Sequence, residues 1–219
     1  IIHEGMRRMF VEQQRVFYYI TLMNENYAQP PLPAGVEEGI LKGMYRLQSG
    51  GKGKVRATLF GSGTILRECI AAAQILEKDY GVPADIYSVT SFGQLRREAL
   101  ECERHNMLNP QGAAQVPYVS TCLKDIEGPI IAATDYMRVV PDQIRQWVDK
   151  HYVTLGTDGF GRSDSRAALR RHFEVDRNFI VVATLKALAD EGKIDRATVG
   201  KAITALRQNV TKYTATGGT

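Results

Sequence analysis

The residues best suited to chemistry in this chain are small and charged ones that follow apolar runs. Gly61-Ser62-Gly63-Thr64-Ile65-Leu66 comes directly after Val55 to Phe60 and opens a helical pattern. Glycines in such a strand-turn-helix let backbone amides approach a phosphate at a helix N-terminus. The dinucleotide fingerprint needs a third glycine where Leu66 stands, so a ligand-free βα turn is the simpler reading and an anion site the alternative. A second cluster, Thr157-Asp158-Gly159-Phe160-Gly161-Arg162, sets an acid and a guanidinium around a glycine loop. That pairing suits contacts to a ligand or to another subunit, the planar guanidinium supplying paired N–H donors.

Asp135 follows a third apolar run, so in a parallel sheet Ser62, Ser91, Asp135 and Asp158 gather along one rim. Open α/β sheets place their ligands at that rim. Ser62, Asp135, Asp158 and Arg162 are therefore the candidate ligand or subunit contacts. Two carboxylates there can divide acid and base roles when their environments split their pKa values, yet carboxylates after strands more often cap helices. Cys102 and His105 have metal-ligand spacing on one helix, without a second pair to complete a tetrahedral site. No Gly-x-Ser-x-Gly elbow appears, which argues against a serine hydrolase. Thr157-Asp158-Gly159 resembles a fragment of the metal-diphosphate motif of thiamine enzymes but lacks the motif's first glycine and its later Asn pair, so its glycine reads as a backbone device. The residues thus identify no catalytic, cofactor-binding or metal-binding position.

The elements that must position these residues follow from periodicity. Val16 to Thr21, aromatic and β-branched, predicts a strand. Pro30, Pro31 and Pro33 forbid helix and central strand and give a stiff connector. A helix is expected from Val36 to Leu47, and Gly50-Gly51-Lys52-Gly53 sets a domain border near residue 50. Beyond it, strands at 55–60, 86–90, 130–134 and 152–157 alternate with helices.

The first of those helices carries Ile65, Cys69, Ala72, Ala73, Leu76 and Tyr80 and stops at Gly81. The next starts at a Ser91/Gln94 capping box and runs towards Asn106. Residues 109–128 read mostly as loop, and Pro141-Asp142 opens a helix with Ile144, Trp147 and Val148. Ser163 or Asp164 is the expected N-cap of the following helix. Phe179 to Leu185 stays in phase with Leu188 and reads as helix, and a last helix runs from Asp195 to Arg207 before a frayed tail at 214–219. Alternation with single-helix crossovers means an α/β fold whose mainly parallel sheet is covered on both faces.

Composition sets the outer limits. The 219 residues suit one domain with an appendage. At 44% hydrophobic and 24% charged, the chain is that of a folded globular protein. A net charge of +4, spread along the sequence, gives no support for nucleic-acid binding. The apolar stretches fall short of the roughly 20 residues that a membrane helix needs. Three cysteines without CxxC spacing fit buried thiols in a reducing cytoplasm. The chain opens without methionine, cap or turn, and the expectation is a C-terminal piece of a larger intracellular protein.

Four stretches together, Tyr18 to Tyr27, Tyr87 to Phe92, Glu101 to Arg104 and Leu155 to Asp164, resemble the family of homodimeric, bacterial-type pyruvate dehydrogenase decarboxylating components, in the transketolase superfamily. The resemblance implies a three-layer transketolase C-terminal-like domain at 54–219 with one antiparallel strand in its five. It also implies a linker with a short helix at 28–53, and at 1–27 the tail of a pyrimidine-binding domain. The parent enzyme would hold thiamine diphosphate and Mg²⁺, decarboxylate pyruvate, and pass the acetyl unit to a lipoyl group on a dihydrolipoyl acetyltransferase core. Its expected partners are that core and a second copy of itself. His3, His105, His151 and His172 do not sit in the family's catalytic-histidine motifs, so this chain would contribute scaffold and no cofactor contact.

Overall fold

The computed structural model describes residues 1–23 and 25–206. Its centre is a sheet in the order β1-β3-β2-β4-β5, formed by Met44–Gln48, Ala84–Val89, Ala57–Gly61, Ile130–Ala133 and Tyr152–Leu155 respectively. β3, β2, β4 and β5 run parallel, and β1 pairs antiparallel with β3, Met44 facing Val89. Every residue of β2 and β4 is buried, as their continuous apolar runs require for strands covered on both sides. The α/β class, the mainly parallel sheet and the single antiparallel strand are as expected.

Helices α1 (Ile2–Met6) and α2 (Glu37–Lys42) precede the sheet. Those that cover it are α3 (Ile65–Tyr80), α4 (Phe92–Leu108), α5 (Tyr118–Leu123), α6 (Val139–Asp142), α7 (Arg166–His172), α8 (Arg177–Asp190) and α9 (Arg196–Ala205). Strand alternation separates two cores. Leu59, Ile86, Ile131 and Leu155 meet Cys69, Leu76, Ile180 and Leu188 of α3 and α8 on one face. Phe60, Tyr87, Ile130 and Tyr152 meet Phe92, Leu95, Val119 and Leu123 of α4 and α5 on the other.

Local chemistry sets the ends of these helices. α3 stops at Gly81, whose φ of 64° is open to glycine, and the Gly81 and Val82 N–H groups donate back to Glu77 O and Leu76 O. Ser91 Oγ accepts from the Gln94 N–H at 3.0 Å to start α4. Asp176 accepts from the Asn178 and Phe179 N–H groups to start α8, as Asp195 does from Ala197 for α9. At the β2–α3 turn, a Cβ on Gly61 would lie 2.6 Å from the Leu66 Cα, so only glycine allows α3 to close this tightly on its strand.

Several sequence expectations give way. The helix over 36–47 ends at Lys42 because Gly43 adopts φ 107°, and Met44 and Leu47, read as helical neighbours, instead belong to strand β1. Val16 to Thr21 has no ladder partner among the described residues and forms no strand. Within the expected loop at 109–128, α5 forms behind Pro117, a residue well suited to a helix entrance. The helix expected after Pro141 is split into α6 and a 3₁₀ turn at Arg145–Trp147. Ser165, not Ser163 or Asp164, caps α7, its Oγ accepting from the Ala168 N–H, while Asp164 accepts from the Ser165 N–H. Arg207 and the tail at 214–219 lie outside the described residues. Among the described residues no helix is long and apolar enough to cross a membrane.

One polar contact joins three helices beneath the sheet's carboxyl edge. Glu68, in the first turn of α3 and 5% exposed, accepts from the Arg177 N–H at 3.0 Å and from Arg177 Nε at 2.9 Å. Arg170 Nη1 of α7 lies 3.5 Å from its other oxygen. Burial pushes this carboxyl up, but the Arg177 hydrogen bonds and both guanidiniums outweigh that and hold it below the ordinary range. A depressed carboxyl stabilises fully above its unfolded value, about 4.3, and the contribution is lost as pH falls through the folded value. Glu68→Ala is expected to cost about 2 kcal/mol at neutral pH by stranding the Arg177 donors. Urea unfolding of wild type and Glu68→Gln at about pH 7 and about pH 3 checks the sign, the gap between them narrowing in acid.

Candidate functional site at the carboxyl edge of the sheet

The connection after β2 leaves through α3 towards β3, and the one after β4 leaves through α6 towards β5 on the opposite side. The carboxyl ends of β2 and β4 therefore flank a topological switch point, where open sheets leave a crevice. A cavity of about 320 Å³ lies there. Thr64 and Ile65 at the start of α3, Asp135 after β4, Thr157, Gly159, Gly161 and Arg162 after β5, and Arg166 and Arg170 of α7 all contribute to its wall.

The two loops that carry Asp135 and Arg162 are tied together by backbone. Thr157 Oγ1 donates to Asp135 O at 2.7 Å, the Thr157 N–H donates to Tyr136 O at 2.8 Å, and Asp158 Oδ1 accepts from the Arg138 N–H at 3.0 Å. A Cβ on Gly156 would fall 2.6 Å from Tyr136 O, so the crossing requires glycine. Arg166 and Arg170, one turn apart, face the cavity from α7, and each holds a guanidinium nitrogen 3.6 Å from Glu25 Oε2. Arg67, stacked over the Tyr27 ring at 4.5 Å, reaches the other Glu25 oxygen at 4.0 Å. Burial raises the Asp135 pKa, and neither its own backbone hydrogen bond nor Arg170 fully offsets that.

Of the four residues singled out by sequence, Asp135 and Arg162 share the cavity wall. Ser62 is buried at the end of β2, its N–H donating to Ala133 O at 3.2 Å, and lies outside the lining. Asp158 is exposed and directs one oxygen at the Arg138 N–H and the other at Arg138 Nε, 3.7 Å away. Asp158 is the one carboxylate of the Thr157-Asp158-Gly159 loop, and both its oxygens turn toward Arg138. Cys102 donates to Glu98, and the described residues contain no group of three or more His, Cys, Asp or Glu able to hold a metal.

Sequence reasoning missed Glu25, Glu68, Arg166 and Arg170. The four-residue spacing of Arg162, Arg166 and Arg170 was the available signal. The wall carries two hydroxyls, Thr64 and Thr157, one carboxylate, Asp135, and the guanidiniums of Arg162, Arg166 and Arg170, a set suited to holding a ligand. Asp135→Asn removes a partly buried charge and is expected to raise stability at neutral pH by about 0.5–1 kcal/mol. A fall in melting temperature would show that the carboxylate is structurally required.

Comparison with known proteins bears on the whole chain. The pyruvate dehydrogenase E1 component of Pseudomonas aeruginosa is 55% identical over 205 residues, 93% of this chain and 23% of that protein. That of Escherichia coli K12 is 53% identical over 207 residues, again 93% of this chain and 23% of the other. The chain thus spans under a quarter of the length of these relatives. Among solved structures, a transketolase from Leishmania mexicana aligns with 70% of this chain and 19% of that one, at 15% identity and a TM-score of 0.45. Residues 1–30 match the pyruvate dehydrogenase E1 component middle domain family. Residues 43–176, from β1 through the cavity wall, match the transketolase-like C-terminal domain family, and to that family the chain belongs.

Proposed function

We propose that this chain is the C-terminal scaffold of the decarboxylating component of a pyruvate dehydrogenase complex. Identity above one half along 93% of its length to proteins named pyruvate dehydrogenase E1 component carries the reading. The parent enzyme uses thiamine diphosphate and Mg²⁺ to decarboxylate pyruvate, then acetylates a lipoyl group of the dihydrolipoyl acetyltransferase core. Its cofactor site lies in the parts of the protein that precede these residues. Here the lining offers two threonine hydroxyls, one carboxylate and three arginines, which supports a scaffold or binding role, and Asp158 is engaged with Arg138.

On this reading residues 1–27 close the pyrimidine-binding domain, 28–53 are a linker whose last part supplies β1, and 54–219 form the C-terminal domain. The exposure of Phe17, Tyr19 and Leu22, at 89%, 88% and 83%, supports the first part, since large apolar side chains in series need another surface to cover them. The protein works as a homodimer in the cytoplasm, where its three unpaired cysteines stay reduced. A second reading, a free-standing ligand-binding domain, draws on the cavity alone.

Assay of the natural full-length protein separates these. With thiamine diphosphate, Mg²⁺ and a lipoylated acetyltransferase, it is expected to release carbon dioxide from pyruvate. Failure to do so, or preference for ketose phosphates, would sink the proposal. The 219-residue chain alone is expected to give no heat on titration with thiamine diphosphate. Stoichiometric, tight cofactor binding to it would also overturn the assignment.

A further inference from the structure

From the contacts that cross the carboxyl edge we infer that Glu25 is an interdomain latch: its carboxylate ties the end of the middle-domain segment to helix α7, and each holds the other in place. The inference rests on the two family matches and on this chain's own side chains, and it stands whichever substrate the parent enzyme takes.

Glu25 lies within residues 1–30, which match the middle domain family, while its three partners lie within 43–176, which match the C-terminal domain family. Arg67 of α3 is 4.0 Å from one of its oxygens, and Arg166 and Arg170 of α7 are each 3.6 Å from the other. Neighbouring contacts cross the same boundary. The Arg67 guanidinium stacks over the Tyr27 ring at 4.5 Å, Thr21 Oγ1 and Tyr136 OH share a hydrogen bond of 2.5 Å, and Met23 completes the cavity wall. These contacts fall on every second residue, Thr21, Met23, Glu25 and Tyr27, as one face of an extended chain does, while Leu22 between them is 83% exposed. They make a strap across the edge, and the basic wall of the cavity is the socket for its carboxylate.

Helix α7 has the converse need. None of its seven residues is buried, and a helix that short does not persist on its own. Within α7, Glu68 reaches Arg170, whereas Glu25 reaches both Arg166 and Arg170. With Glu25 neutral, Arg67, Arg166 and Arg170 would repel one another across the place that the carboxylate now fills. Side-chain exposure is 18% for Arg170 and 28% for Glu25, so their pairing is screened less than one on the open surface. A strap held by apolar packing would not depend on α7, and a helix held by Glu68 alone would not depend on the strap.

The test is hydrogen–deuterium exchange of the natural full-length protein, read by mass spectrometry. In Glu25→Gln, the amides of residues 20–28 and those of α7 should both exchange about five-fold faster or more, although the two segments are far apart in sequence, while α4 and α8 keep wild-type rates. Arg67→Gln sits on a helix whose packing rests on Ile65, Cys69 and Leu76, so it leaves that helix folded and should speed both segments to a lesser degree. The distant charge variant Lys186→Ala should change neither. Faster exchange at residues 20–28 with α7 at its wild-type rate would overturn the latch, as would wild-type rates at residues 20–28 in either variant. Should Glu25→Gln fail to fold, Arg67→Gln decides on the same two segments. The readout needs no turnover, so failure of the full-length protein to decarboxylate pyruvate would sink the proposed function and leave the latch standing.

Discussion

Glu68 is the contact on which the arrangement of the carboxyl edge depends. It stands in the first turn of α3, takes the first N–H of α8, and draws in Arg170 of α7. Helix α3 and the neighbouring pair α7 and α8, about a hundred residues further along the chain, are thereby fixed at one point. Without it, the short α7 would have little to hold it: its seven residues contain none that is buried. An isolated helix that short does not persist in water. The position of Arg166 and Arg170, and so the basic wall of the cavity, is inherited from a carboxylate outside the cavity lining.

A second constraint is the closeness of backbone to backbone at the same edge. Gly61 admits Leu66, and Gly156 admits Tyr136 O, each at a separation that any side chain would forbid. These two approaches bring the turns after β2, β4 and β5 near enough to share one crevice. Glycine at the first position, weighed from sequence as a possible phosphate contact, serves helix-on-strand packing.

Legibility from sequence followed the range of the forces involved. β2, β4 and β5 and the long helices α3, α4 and α8 announced themselves through apolar periodicity, α3 and α4 also through Gly81 and Ser91 at their ends, all local signals. β1 did not, because Met44 and Leu47 fit a helical spacing equally well and only pairing with β3, some forty residues later, decides between the two. Residues 16–21 carry strand composition with no partner here to pair with, and a strand is defined by its neighbour. For the site, Asp135 and Arg162 were found because both follow strands. Glu25, Glu68 and Arg170 were not, since their roles exist only once distant segments are brought together.

The two sides of the sheet also differ in kind. One core is aliphatic, built on α3, α8 and α9, while the other gathers Phe60, Tyr87, Phe92 and Tyr152, with Trp147 packed against it and its Nε1 donating to Glu103. Trp147 is the single tryptophan in the chain. Its emission consequently senses the α4 and α5 layer and is silent about the layer that bears the cavity. An optical melt of this domain would watch one wall of the molecule while the other moved unseen.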